Sequence, residues 1–183
     1  MLTELQEKKI RHLFNVFDGN GDGVLEKEEF VLLFSNSIEM IGSQRVNRQS
    51  LKIKKLQLIV WRKMQRFFNY SLDGKINQEQ WLKWTDSVVN DLQYNTESTK
   101  NFLKFYYTIF NSLDTDEDGY LTLMDYQNWF KHFQLQGNPV AIFYKLDINK
   151  KGKISKENFG RLVLDYYLYK PDAPGNYLWG LFG

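Results

Sequence analysis

The sequence predicts an all-α fold: four helix-loop-helix units, arranged as two pairs in one compact body. Two observations carry that expectation. A twelve-residue stretch, Asp18-Gly-Asn-Gly-Asp-Gly-Val-Leu-Glu-Lys-Glu-Glu29, returns in three altered copies at 69–80, 114–125 and 147–158. Between the copies, apolar residues recur at spacings of three and four, which is the period of a helix with one buried face.

The copies align on the glycine at their sixth position, Gly23, Gly74, Gly119 and Gly152. The chain must turn there through a conformation that is costly for any residue with a Cβ. An aromatic or leucine precedes each copy (Phe17, Phe68, Leu113, Leu146), and an aromatic follows it (Phe30, Trp81, Tyr126, Phe159). The eighth position is always aliphatic: Leu25, Ile76, Leu121 and Ile154. Through it two loops are expected to pair as a short antiparallel strand, so four loops make two pairs. The expected division is 1–92 for the first pair, 93–170 for the second, and 171–183 for a tail packing on the core. Residues 90–96 are expected to join the halves.

The helical stripes are read as core. Leu5, Ile10, Leu13, Phe14 and Phe17 enter the first loop; Phe30, Leu33, Phe34 and Ile38 leave it. Leu56, Ile59 or Val60, Met64, Phe67 and Phe68 enter the second, and Trp81, Trp84 and Val88 leave it. Phe102, Phe105 or Tyr106, Ile109, Phe110 and Leu113 enter the third, which Tyr126, Trp129, Phe130 and Phe133 leave. The fourth unit is the shortest, running from Pro139 through Phe143 and Leu146, then on to Phe159, Leu162, Val163 and Tyr166. Gly42-Ser43 and Gly137-Asn138-Pro139 read as connectors.

Composition limits what such a body can be. With 183 residues, 14 Phe, 11 Tyr and 5 Trp, the chain can bury a sizeable core. It has no Cys, which excludes disulfides and thiolate metal sites. The charged start lacks the apolar stretch of an export signal, and Leu2 rules out N-myristoylation. A cytoplasmic location is the expectation.

The loops carry the chemistry. Oxygen ligands at positions 1, 3, 5, 7, 9 and 12 around a glycine at 6 are the pattern that holds calcium. In the first loop these are Asp18, Asn20, Asp22, the Val24 carbonyl, Glu26 through a water, and Glu29 with both carboxylate oxygens. The third loop offers Asp114, Asp116, Asp118, the Tyr120 carbonyl, Thr122 and Asp125. Asp125 is one methylene shorter than Glu, which hinders two-oxygen closure and favours six-fold geometry. That loop is therefore expected to accept magnesium as well. The second loop has Asn69 and Gln80 at its ends and Asp73 as its one direct carboxylate ligand. The fourth has Lys151 at position 5 and Asn158 at position 12. Both are expected to serve as strand partners rather than sites.

Four such units, two of them decayed, ending in the tail from Asp165 through Pro171 and Pro174 to Trp179, resemble the sarcoplasmic calcium-binding proteins of the EF-hand family. That group is similar to calexcitin, to calerythrin-type proteins and to the calcium-regulated photoproteins. The resemblance covers the chain and implies one compact body, a tail folded over the core, and calcium and magnesium buffering inside the cell. Photoproteins hold their luciferin with a histidine on the last helix; the corresponding position here is about Leu162, and the histidines are His12 and His132. Luminescence is not expected, and an apolar ligand in an inner cavity is the third-ranked reading.

The second-ranked reading is a calcium sensor. Of the chain's 24 basic residues, eight lie in 43–72 without one Asp or Glu, leaving 16 against all 22 acidic residues elsewhere. Helix 45–68 thus reads as basic and amphipathic, able to engage a protein or an anionic membrane through Arg45, Arg48, Lys52, Lys55, Arg62 and Arg66. The simpler reading is a solvated helix that balances acidic loops. Tyr177, Leu178, Trp179, Leu181 and Phe182 either fill the central groove or form an exposed docking peptide. No Cys nucleophile, phosphate-binding glycine loop or histidine pair at metal-ligand spacing suggests an enzyme, no nucleic-acid motif is present, and a monomer is expected.

Overall fold

The computed structural model describes residues 1–39, 44–71 and 73–182, with the side chains of all of these except 34–39 and 44–49. Phe34, Ile38, Gly42-Ser43, Arg45 and Arg48 therefore fall outside the described residues or side chains. The described elements are α1 (Glu4–Phe17), β1 (Val24–Leu25), α2 (Lys27–Glu39), α3 (Gln44–Phe67), β2 (Ile76–Asn77), α4 (Gln78–Tyr94), α5 (Thr96–Leu113), β3 (Tyr120–Thr122), α6 (Leu123–His132), α7 (Pro139–Leu146), β4 (Lys153–Ser155) and α8 (Lys156–Tyr167). A 3-10 turn, Pro174–Tyr177, begins the tail. No described helix is long and apolar enough to cross a membrane.

The four helix-loop-helix units form as expected, and so does their pairing. β1 meets β2 antiparallel with Leu25 opposite Ile76, and β3 meets β4 with Leu121 opposite Ile154. All four of these side chains are buried. Helix starts are set by short polar caps. Thr3 and Gln6 form a reciprocal capping box, as do Asn77 with Gln80 and Thr122 with Asp125. Asn138 accepts from the Val140 and Ala141 amides while Pro139 supplies the fixed φ of the first helical residue.

Two expectations are corrected. The linker placed at 90–96 is almost all helix: α4 runs to Tyr94, and Asn95 alone separates it from α5. Asn95 ends one helix with its N–H on the Asp91 carbonyl (2.8 Å) and starts the next by accepting from the Ser98 amide (3.0 Å). Buried Leu92 carries the apolar stripe through the region.

The second correction concerns α3. Its buried face is Ile53, Trp61 and Met64 with Ser50, Gln57 and Gln65, while Ile59 and Phe67 are exposed. Trp61 decides this, because turning the largest apolar side chain inward removes the most surface from water. Its ring stands 5.6 Å from Phe30 of α2. The glutamines that come inward with it are bonded: Gln57 Nε2 donates to the Phe30 carbonyl (2.6 Å) and Gln65 Nε2 to the Gly74 carbonyl (2.8 Å).

The halves share one core. α3 and α4 pack on α5, and α1 packs on α4 and α8. The tail joins them further, since Trp179 is fully buried with ring centroids 5.7 Å from Phe17, 4.7 Å from Trp129 and 5.3 Å from Phe133. Leu178 is buried too, whereas Leu181 remains half-exposed. The tail lies so close on α8 that a Cβ at Gly175 would overlap the Leu162 carbonyl oxygen. Lys9, fully buried on α1, donates to Asn176 Oδ1 (2.8 Å) and to the Asp165 carbonyl (3.3 Å).

Burial lowers the Lys9 ammonium to about 8 from 10.5, against the opposing pull of Asp165. In this window the unfolded chain binds the proton more tightly than the folded one, so unfolding takes up a proton there. Stability therefore rises as pH climbs from about 8 toward 10.5, by at most about 3 kcal/mol, and is flat below. Thermal melts across that range should show the rise in the wild type and lose it in Lys9→Met; equal profiles would refute burial of Lys9 as its cause.

Candidate metal centres

Three of the four loops share one backbone. Position 6 takes positive φ at Gly23 (83°), Gly119 (82°) and Gly152 (73°), and position 4 does so at Gly21 (70°), Glu117 (61°) and Lys150 (52°). In each, the amide at position 6 donates to the aspartate at position 1: Gly23 to Asp18 (2.9 Å), Gly119 to Asp114 (3.0 Å), Gly152 to Asp147 (2.6 Å). That bond folds the loop inward. All three aspartates are buried, and the other carboxylate oxygens of Asp114 and Asp147 have no hydrogen-bond partner. A buried oxygen without a donor is costly unless a cation meets it.

In loop three, ligand oxygens of Asp114, Asp116 and Asp118 lie within 4.8 Å of one another. Among the described residues this is the one acidic or histidine group gathered so closely. Burial raises the Asp114 carboxyl above its ordinary value; the Gly119 N–H opposes this, while Asp116 and Asp118 raise it further. Converging oxygens, excess negative charge and an orphaned buried acceptor fit a hard divalent cation. Tyr120 lies in β3, and Thr122 caps α6.

The closing residue does two jobs. Position 12 is also the third residue of the leaving helix, so its side chain accepts the amide of position 9. Glu29 Oε2 accepts from Glu26 N (3.1 Å), and Asp125 Oδ2 from Thr122 N (2.8 Å) and Thr122 Oγ1 (2.6 Å). Both bonds to Asp125 fall on Oδ2, which leaves Oδ1 as the oxygen for an ion. Loop one repeats the turn: the Asp22 amide donates to Asn20 Oδ1 (2.9 Å) and to Asp18 Oδ1 (3.2 Å), and the Val24 amide to Asp22 Oδ1 (3.0 Å).

Loop two is different in kind. Gly74 is not among the residues with positive φ, whereas Asn69 is (56°). Gln80 fills the closing position, accepting from Asn77 N (2.9 Å) and donating to Tyr70 Oη (2.5 Å). Loop four keeps the backbone and has lost side chains alone.

The sequence reading missed two lysines. Each decayed loop carries one at position 7, and each reaches a ligand of its twin: Lys75 Nζ lies 2.5 Å from Glu26 Oε1, and Lys153 Nζ 3.8 Å from Asp118 Oδ2. Lys153 also sits over the Tyr120 ring at 3.5 Å. Pairing the eighth positions sets position 7 opposite position 9, so the Lys75–Glu26 juxtaposition was readable from that register. The histidines serve as ties between elements, His12 Nε2 lying 2.7 Å from the Trp179 carbonyl and His132 Nε2 3.2 Å from that of Leu33. Burial lowers the His132 imidazole below its ordinary value, opposed by the Leu33 bond. A cleft of about 780 Å³ beside loop one is lined by His12, Glu29, Leu33, His132, Phe133 and Leu135.

Known proteins agree with this geometry. A family model described as EF hand matches residues 10–34 and 140–163, and one described as EF-hand domain pair matches 104–132. Loops one, three and four fall in the matched segments and loop two does not. The sarcoplasmic calcium-binding proteins I, III and IV of Branchiostoma lanceolatum are 29% identical over 182 residues, covering 88% of this chain and 91% of theirs. Among solved structures, a sarcoplasmic calcium-binding protein from amphioxus superposes with TM-score 0.72 at 20% identity over 100% of both chains. An apoaequorin complex with (S)-HM-daCTZ gives 0.76 at 18% identity, covering 97% of this chain and 91% of that one. The chain is therefore an EF-hand protein, whose ion is calcium. Within that class it is similar to the sarcoplasmic calcium-binding proteins, and it shares its fold with apoaequorin.

The two kinds of decay predict different repairs. Lys151→Asp with Asn158→Glu should give loop four a calcium site, seen as an added event in calorimetry. Asn69→Asp with Gln80→Glu should give loop two none, because its backbone does not make the turn; the reverse outcome would refute the distinction. Separately, Lys75→Met should tighten calcium binding at loop one about two- to five-fold at low salt, shrinking as salt screens the exposed charge. An unchanged affinity would mean the lysine swings away at no cost.

Proposed function

We propose that the protein is a calcium buffer with two working sites. Asp18, Asn20, Asp22, Val24, Glu26 and Glu29 form one; Asp114, Asp116, Asp118, Tyr120, Thr122 and Asp125 form the other. The loops at 69–80 and 147–158 hold them in shape. The observation that carries buffering over sensing is Trp179, which the chain seats between Phe17 of the first half and Trp129 and Phe133 of the second. A sensor opens an apolar groove to its target on loading; here the chain's own tail occupies that place. Magnesium acceptance at the second site is supported by Asp125, which is one methylene shorter than Glu29 and so closes on an ion with both oxygens less readily.

A second reading, a binder of small apolar molecules, is favoured by the cleft beside loop one, whose volume suits a small organic ligand. Native mass spectrometry of the purified protein would reveal such a passenger, and a bare polypeptide mass would count against it.

Calcium titration by calorimetry, with and without magnesium, together with binding of a hydrophobic dye, tests the main reading. Two calcium events without new dye-binding surface are expected. With loop one disabled by Glu29→Gln, the remaining site should discriminate less against magnesium than the site left by Asp125→Asn. Calcium-dependent dye binding would overturn buffering in favour of sensing, and equal selectivity would overturn the role given to Asp125.

A further inference from the structure

The inward turn of Trp61 decides what α3 shows to solvent. Five basic side chains, Lys52, Lys55, Arg62, Lys63 and Arg66, are exposed, and among the described residues none makes an ion pair or side-chain hydrogen bond. Interleaved with them are three apolar side chains eight residues apart: Leu51 at 57% exposure, Ile59 at 47% and Phe67 at 42%. At 100° per residue all eight fall within about half the helix circumference. Segment 43–72 contains no acidic residue that could neutralise the face from within.

We propose that this outer face of α3 seats the protein on an anionic lipid bilayer. Apolar side chains cost little where they are scattered, but regular apolar residues spaced between unpaired cations match one surface chemistry in particular. A bilayer offers anionic headgroups in a plane and an acyl boundary just beneath. The cations meet the headgroups, while Leu51, Ile59 and Phe67 reach the boundary. An acidic peptide would need a continuous apolar groove, and successive apolar side chains here stand about 12 Å apart along the axis. Docking requires no refolding, because the inner face of α3 stays on α2 and α5. The inference goes beyond buffering and stands independently of it: α3 enters loop two, the loop without a calcium turn, so docking proceeds with or without calcium.

Sedimentation of the full chain with vesicles tests it, comparing phosphatidylcholine alone with phosphatidylcholine containing about one-fifth phosphatidylserine. Binding is expected to the anionic vesicles alone, in calcium and in chelator, and high salt should release it. The triple variant Lys55→Gln, Arg62→Gln, Arg66→Gln should weaken partitioning about a hundred-fold, since each basic group near the surface contributes roughly five-fold. Ile59→Ser should weaken it several-fold. Both variants should keep wild-type melting curves and calcium titrations, which separates this test from that of buffering. No pelleting, equal pelleting with neutral vesicles, pelleting that the triple variant retains, or equal affinity for a polyglutamate peptide would each overturn the proposal.

Discussion

Each loop is held by its twin. β1 with β2 and β3 with β4 are strands of two and three residues, too short to stand alone, and their backbone groups find partners across the pair. The buried contacts of Leu25 with Ile76 and Leu121 with Ile154 close the apolar side of these ribbons. A loop that has lost its ligands must therefore still be present, because its partner's shape depends on it. The demands of folding therefore fall on both loops of each pair, whatever either offers an ion.

That constraint explains how two loops could decay by different routes. Loop two substitutes protein hydrogen bonds for ion contacts: Gln80 still caps α4 through Asn77 and adds Tyr70, so the helix starts where it should. Loop four retains Asp147, Gly152 and the Ser155 cap, and keeps the turn without the charge. In loop two the capping role of position 12 permits this, since Gln, Glu and Asp all satisfy the helix start while differing in what they offer an ion, whereas in loop four Ser155 at position 9 caps the helix. The position 7 lysines add a further asymmetry. Lys75 and Lys153 each carry positive charge to a carboxylate of the loop paired with their own.

The units, their pairing and the ligand types were legible in the sequence, because the glycine at position 6, the aliphatic residue at position 8 and the carboxylates are local requirements. The buried face of α3 was not. Its apolar residues are so numerous that two faces satisfy the helical period, and only the partner, Phe30 with room for Trp61, chooses between them. The junction expected within 90–96 narrows to Asn95, because a single capping residue suffices to turn the chain. The unusual backbone of loop two was hidden because its glycine aligned with the others. Gln65 and Tyr70, which crowd Gly74 in this backbone, lie outside the ligand pattern.

The packing chosen by Trp61 also bears on how far loop one can move anything. A leaving helix that swings on loading must be free on its far side. α2 is gripped instead by Trp61 against Phe30, by Gln57 on the Phe30 carbonyl, and by Trp81, whose ring lies 6.2 Å from Phe30. From the other half, His132 meets the Leu33 carbonyl one turn further along. Swinging α2 outward would break contacts to α3, α4 and α6 together, including a buried amide bond whose donor would be left without a partner. Such a helix favours a loop that takes up its ion with little change of shape. The same packing turns the basic face of α3 outward, which is the orientation that the proposed docking on a bilayer requires.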